Sequence, residues 1–230
     1  MTKPAIVFDL NETLLDMSAL DPTFAQIFDQ PNHQGSELRK KWFKQVLELF
    51  LTATITGKYR SFDKLTDEAL QMIAAQRGTE ASEEHRAALK AAQAKIPAHA
   101  DVQPGLAQLK DAGFTLAVLT NSTQKSAETL LEQAGVRDYF DMALSADAVE
   151  RYKPAREAYD YAAKRLNLKP AGILLVAAHA WDVAGAMAAG CGAGFIARPE
   201  KVLSPGGATP RYQAGELTGL AAQIIADHRR

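Results

Sequence analysis

Short apolar runs recurring between helix-patterned segments most narrow what this 230-residue chain can fold into. Ala5-Ile6-Val7-Phe8, Leu116-Ala117-Val118-Leu119, Ile173-Leu174-Leu175-Val176 and Gly194-Phe195-Ile196-Ala197 lack the polar alternation of a half-solvated strand. Such runs suit the strands of a parallel sheet covered on both faces. Between them the pattern turns helical. Pro104-Gly105 opens a segment with Leu106, Leu109 and Ala112 on one face, and Gly113 closes it. Helices follow near 123–134, 155–166 and 182–189, with a last one near 215–228, and Met142-Ala143-Leu144-Ser145 adds a short strand. This alternation predicts right-handed βαβ crossovers and an α/β fold with a doubly wound parallel sheet.

Residues 16–98 break the alternation. Helical periodicity covers 36–56, with Leu38, Trp42, Gln45, Val46, Leu49 and Phe50 near one face, then 62–75 and 83–95 before Pro97. No strand signal interrupts it. The reading is a core of residues 1–15 and 99–230, with a helical cap of 16–98 inserted after the first strand to close over a site and exclude water. Pro31-Asn32-His33-Gln34-Gly35 and Ser204-Pro205-Gly206-Gly207 read as mobile, turn-rich loops.

A formal net charge of −1 provides no global basic field for nucleic acid or an anionic membrane. The run Leu38-Arg39-Lys40-Lys41 reads as a solvated helix face. No apolar run approaches the ~20 residues of a membrane span. Cys191 is the sole cysteine, which excludes an intrachain disulfide framework or a cysteine zinc cluster; between Gly190 and Gly192 it reads as a packing thiol. Met1-Thr2-Lys3-Pro4 leads straight into the first strand, so no signal peptide and a cytoplasmic location are expected.

Chemistry-bearing residues sit where strands end. Asp9 closes the first run and precedes Leu10-Asn11-Glu12-Thr13; Thr120-Asn121-Ser122 closes the second; Lys153-Pro154 precedes a helix carrying Tyr159; the third runs into Ala177-Ala178-His179-Ala180-Trp181-Asp182. Parallel strands would bring these groups to one sheet edge, where α/β proteins place ligands. Each has an ordinary reading beside the chemical one. Asp9, Thr120, Asn121 and Asp182 could cap helices, Thr13 could bond its own turn, Lys153 could be a surface lysine, and Tyr159 could be core. His179 could fix a loop or, as an imidazole, contact a leaving group or activate water.

The four motifs in this order resemble the haloacid dehalogenase superfamily, and most closely its L-2-haloacid dehalogenase branch, across nearly the whole chain. The resemblance implies Asp9 as nucleophile, Thr13 orienting it, Lys153 as active-site cation, Asp182 as second carboxylate, Thr120 and Asn121 in the place of the Ser-Asn pair that holds the substrate carboxylate, and Tyr159 at the site. Phe62 opens the segment that matches the branch's cap, and Phe43, Phe62 and Trp181 would form a dry wall, with Leu10 and Asn11 beside the substrate. Departures accompany the matches. Phosphatases of the superfamily carry a second aspartate where this chain has Asn11, and a metal-binding aspartate four residues before Asp182, here Ala178. Metal-dependent phosphate transfer is therefore disfavoured, and no cofactor is expected. The branch's cap arginine is Phe43, its tyrosine is Asn11, its glycine before the threonine is Glu12, its two serines are Ala177 and Ala178, and its asparagine is His179. Arg39 and Lys44 do not fall at the arginine's place. The expected reaction is hydrolysis of a short 2-haloalkanoate through an aspartyl ester on Asp9, with water as co-substrate and a homodimer as the branch's common assembly. The alternatives are a small-metabolite phosphatase and a degenerate member that binds a small acid or a partner protein.

Overall fold

The computed structural model describes residues 3–228, so Met1 and Thr2 of the lead-in lie outside it. Its centre is a six-stranded, all-parallel sheet in the order β3-β2-β1-β4-β5-β6, from β1 (Ala5–Phe8), β2 (Leu116–Thr120), β3 (Met142–Ser145), β4 (Ile173–Ala177), β5 (Gly192–Ile196) and β6 (Tyr212–Ala214). Alternate residues of each strand enter opposite layers. Ile6, Phe8, Leu116, Val118, Leu174 and Val176 join one apolar core, while Val7, Ala117, Leu119, Ile173 and Leu175 join the other. The first core is covered by α5 (Val102–Asp111), α6 (Gln124–Gln133) and α9 (Leu217–Asp227), the second by α7 (Arg156–Arg165) and α8 (Ala180–Ala188). Cys191 packs into the second core, where burial pushes its thiol up to about 12.

This strand order reverses between β1 and β4. Their carboxyl ends flank the crevice in which doubly wound sheets bind ligands. Asp9 follows β1 directly, with its N–H donating to the Val176 carbonyl of β4 at 3.0 Å.

Helices α1 (Asp21–Ile27), α2 (Asn32–Thr56), α3 (Phe62–Gln76) and α4 (Glu83–Gln93) fill the stretch between β1 and α5. Trp42 is buried, packs on Phe24 at 5.2 Å and donates its indole N–H to the Thr66 carbonyl at 2.9 Å, joining α1, α2 and α3. Two expectations need correction here. The supposed loop at 31–35 is largely the first turn of α2, because a glycine at position 35 allows that turn to lie against the Asp21 carbonyl; a Cβ there would stand only 2.0 Å from the oxygen. The basic run is not wholly solvated either: Arg39 is buried and paired with Asp21 at 2.5 Å. Strand β6 was not foreseen. Among the described residues, no helix is long and apolar enough to cross a membrane.

Candidate active site

Asp9, Thr13, Lys153, His179 and Asp182 converge at the β1–β4 reversal, all of them buried. Each arrives for a local reason. Asp9 ends β1, and the turn after it places Thr13 where its hydroxyl donates to Asp9 Oδ2 at 2.6 Å. The same hydroxyl accepts from the Ala178 N–H at 2.9 Å, so its proton is committed to Asp9. The turn itself is anchored by Arg198, which donates to the Thr13 carbonyl at 3.1 and 3.0 Å and pairs with Asp101 at 2.7 Å.

Lys153 reaches the site from the loop before α7. Its ammonium lies 2.9 Å from Asp9 Oδ1 and 2.6 Å from Asp182 Oδ2, bridging the two carboxylates. Burial disfavours its charge, but Asp182 and Asp9 outweigh that and keep its pKa above the ordinary lysine value. Asp182 comes from the first turn of α8, and its other oxygen accepts from the Tyr159 hydroxyl at 2.6 Å. With both oxygens engaged and no exposure, Asp182 acts on Asp9 through Lys153. Tyr159, expected beside the substrate, is instead buried behind Asp182 and braces it.

His179 caps α8 with its ring between two carboxylates. Nδ1 is 3.0 Å from Asp9 Oδ2, and Nε2 is 2.9 Å from Glu12. The ring stacks with Trp181, at 5.0 Å, and with Phe43, at 6.1 Å. Burial opposes its charge, but the hydrogen bonds to Asp9 and Glu12 prevail and raise it to about 9. Both ring nitrogens are committed to carboxylates, so neither N–H is free to meet a leaving halide. Asp9 responds in turn. Burial would raise its pKa, but Lys153, His179 and Thr13 hold the carboxyl well below the usual range.

Glu12 is the residue that motif reading passed over. It adopts a left-handed conformation, with φ of 60°, and its carboxylate meets Lys201 at 2.5 Å and Arg39 at 3.7 Å as well as His179. Burial pushes its carboxyl up, but His179 and Lys201 lower it to about 2. The available signal was a paired departure, a charged residue for glycine together with histidine for asparagine. Arg39, committed to Asp21 and Glu12, does not replace the missing cap arginine.

The remaining expected contacts divide. Asn121 exchanges hydrogen bonds with the Lys153 backbone, accepting its N–H at 2.8 Å and donating to its carbonyl at 3.2 Å, so the amide locks the lysine loop to the end of β2. Thr120 accepts from the Ser122 N–H at 3.1 Å, which fixes the turn after β2, while Thr123 caps α6. Leu10 buries its side chain in the core and lines neither cleft. Asn11 donates to the Ser122 hydroxyl at 3.1 Å, and both line a cleft of about 770 Å³ between sheet edge and cap helices, walled by Trp42, Phe43 and Phe62. A second cleft, of about 730 Å³, reaches Glu12, His179 and Trp181, and Phe43 lines both.

Comparison with known proteins agrees with this geometry. The sequence profile of the haloacid dehalogenase-like hydrolases matches residues 3–190. The (S)-2-haloacid dehalogenase of Pseudomonas sp. (strain YL) is 31% identical over 219 residues, covering 95% of this chain and 92% of the relative. Among solved structures, the L-2-haloacid dehalogenase RSc1362 superposes with a TM-score of 0.91 at 26% identity, covering 97% of this chain and 99% of the other. A dehalogenase described as an intermediate complex superposes with a TM-score of 0.88 at 28% identity, covering 97% of each chain.

Proposed function

As the chain belongs to the haloacid dehalogenase-like hydrolases, we propose that it hydrolyses short 2-haloalkanoic acids to 2-hydroxy acids through an ester on Asp9. One observation carries this reading: the hydrogen bonds of Asp9 are unequal. Oδ2 receives two donors, Thr13 and His179, whereas Oδ1 receives Lys153. A carboxylate oxygen has two in-plane lone pairs, so Oδ2 is saturated and Oδ1 retains one for attack. A pKa held below the usual carboxylate range keeps Asp9 ionised at neutral pH, as a nucleophile must be.

Oδ1 attacks the carbon bearing the halogen, the new O–C bond forms as the C–halogen bond breaks, and the halide leaves with the electron pair. Water then adds to Cγ of Asp9, and the Cγ–Oδ1 bond breaks. One proton of that water goes to the departing alkoxide, giving the 2-hydroxy acid, and the other goes to solvent as Asp9 returns to a carboxylate. Asn11 and Ser122 offer polar groups to the substrate carboxylate, while Phe43 and Phe62 keep the neighbouring cleft dry. Residues 16–98 serve as a cap over a core of 1–15 and 99–230. We assign a homodimer and a cytoplasmic location on the likeness to the branch.

No divalent cation enters this scheme. The position four residues before Asp182 is Ala178, which has no oxygen side chain, and the Lys153 ammonium already bridges the two carboxylates. The test is halide release from chloroacetate and both 2-chloropropionate enantiomers with EDTA present. A single turnover in H₂¹⁸O should label Asp9 and leave the first product unlabelled, and Asp9→Asn should abolish release. Solvent label in the first product, or release that depends on Mg²⁺, would overturn the reading.

A further inference from the structure

We propose that His179 and Thr13 together form the oxyanion site for ester hydrolysis, and that Glu12 is the positioning residue that holds the His179 ring aligned and charged. This rests on the covalent reading above and assigns the second half of the reaction. Once Oδ1 is alkylated, Oδ2 becomes the ester carbonyl oxygen. Water adding to Cγ then places the negative charge on Oδ2. Two donors already point there, Thr13 Oγ1 at 2.6 Å and His179 Nδ1 at 3.0 Å. Donors fixed in advance where charge develops, in a site shielded from water, provide the largest single contribution in many hydrolases.

The surroundings of the ring make it a cation rather than a base. Asp9 and Thr13 face it from the turn after β1, and Glu12 takes its far nitrogen from the same turn. The rings of Phe43 of α2 and Trp181 of α8 stack on it, and aromatic faces favour a cation. Arg39 of α2 and Lys201 of the loop after β5 touch Glu12, not the imidazole, and Lys153 is shared with the other oxygen of Asp9. The midpoint of about 9 agrees with this geometry. Glu12 holds its place in a left-handed backbone conformation, with φ of 60°, that disfavours a residue bearing a Cβ. A glycine would avoid that strain but could not reach Nε2. During addition the water oxygen bonds Cγ and the carbonyl π pair moves onto Oδ2. On collapse that pair returns, Cγ–Oδ1 breaks, and the leaving oxygen takes its proton from the added water. His179 keeps its proton throughout.

The test compares wild type with Glu12→Gln and His179→Ala, using rapid-quench mass spectrometry of the intact protein with 2-chloropropionate and NMR titration of the His179 imidazole in wild type and Glu12→Gln. Loss of one oxyanion donor slows hydrolysis ~10²–10³-fold, so the Asp9 ester should accumulate in His179→Ala. Glu12→Gln should slow hydrolysis at least ~10-fold and lower both the imidazole midpoint and the alkaline limb of the hydrolysis rate by ~1–3 pH units. A merely structural Glu12 would move neither. An unchanged ester level and alkaline limb in Glu12→Gln, a hydrolysis rate that rises through the wild-type imidazole midpoint, or an ordinary midpoint for His179 in the wild type would each overturn the assignment. Absence of any Asp9 adduct or halide release in the wild type would instead remove the dehalogenation reading on which it stands, even with the imidazole midpoint high.

Discussion

Gly185→Ala changes no polar group, yet it should weaken both the fold and the site. Gly185 lies inside α8, where alanine is favoured over glycine by ~0.8–1 kcal/mol. That gain meets a steric wall. A Cβ at this position would stand 2.4 Å from Pro154 Cβ, 2.9 Å from Pro154 Cα and 2.6 Å from the Tyr159 hydroxyl. Carbon atoms in contact sit about 3.5 Å apart, so the rigid proline ring must retreat by about 1 Å. Overpacking of this kind costs ~1–3 kcal/mol, and the net loss is about 1 kcal/mol after the helix gain. For a domain of this size that lowers Tm by about 2–4 °C. The effect on turnover should be larger than the effect on stability. Pro154 adjoins Lys153, whose ammonium spans 2.9 and 2.6 Å to Asp9 and Asp182, and Tyr159 braces Asp182 at 2.6 Å. A misplacement of about 1 Å costs about 10²-fold in rate. Urea unfolding and steady-state halide release measure the two effects on the same preparation. A variant more stable than wild type with unchanged kcat would show that α8 and the lysine loop are not packed as described.

Lys153→Met should destabilise the fold by ~3–5 kcal/mol at neutral pH, because it leaves two buried carboxylates without their cation; urea unfolding at acid pH, where one carboxylate accepts a proton, should recover part of the loss. The imidazolium of His179 sets a pH window of its own. Its folded pKa of about 9 lies above the unfolded value of 6.5, so its contribution is complete below 6.5 and is lost as pH rises through 9. The loss amounts to about 3 kcal/mol at ~1.4 kcal/mol per pH unit. Denaturant unfolding across that window should show the decline in wild type and a flat response in His179→Asn; parallel curves would refute it.

Asp9, Thr13, Lys153 and Asp182 were legible in the sequence because each sits next to an unmistakable element, an apolar strand or a helix start. The order of those elements left one crevice for them to share. Tyr159 was found but misplaced, since helical spacing cannot distinguish a substrate contact from a brace one layer behind. Asn121 shows the same limit. Its residue type fits an anion grip, but its geometry ties it to a backbone 32 positions away. Glu12 was hidden for a different reason. Its importance depends on a left-handed φ and on Lys201 and Arg39 arriving from distant segments, neither of which has a local signature. Strand β6 spans only Tyr212–Ala214, too short for any period to register.

The central pairing of β1 with β4 also has a consequence for how the enzyme comes into being. Asp9 meets Lys153 across 144 positions of chain and His179 across 170. Contacts of such range form late, because loop closure must be achieved before they contribute. The helices of 21–93 pack largely on sequence neighbours and can organise early, while Asp9 must wait for a partner strand more than 160 residues further along the chain. A nascent or truncated chain therefore carries Asp9 as an ordinary solvated carboxylate. Reactivity arrives only when β4 and the turn after it dock beside β1, so the carboxylate at the end of β1 acquires its chemistry long after its own strand is made.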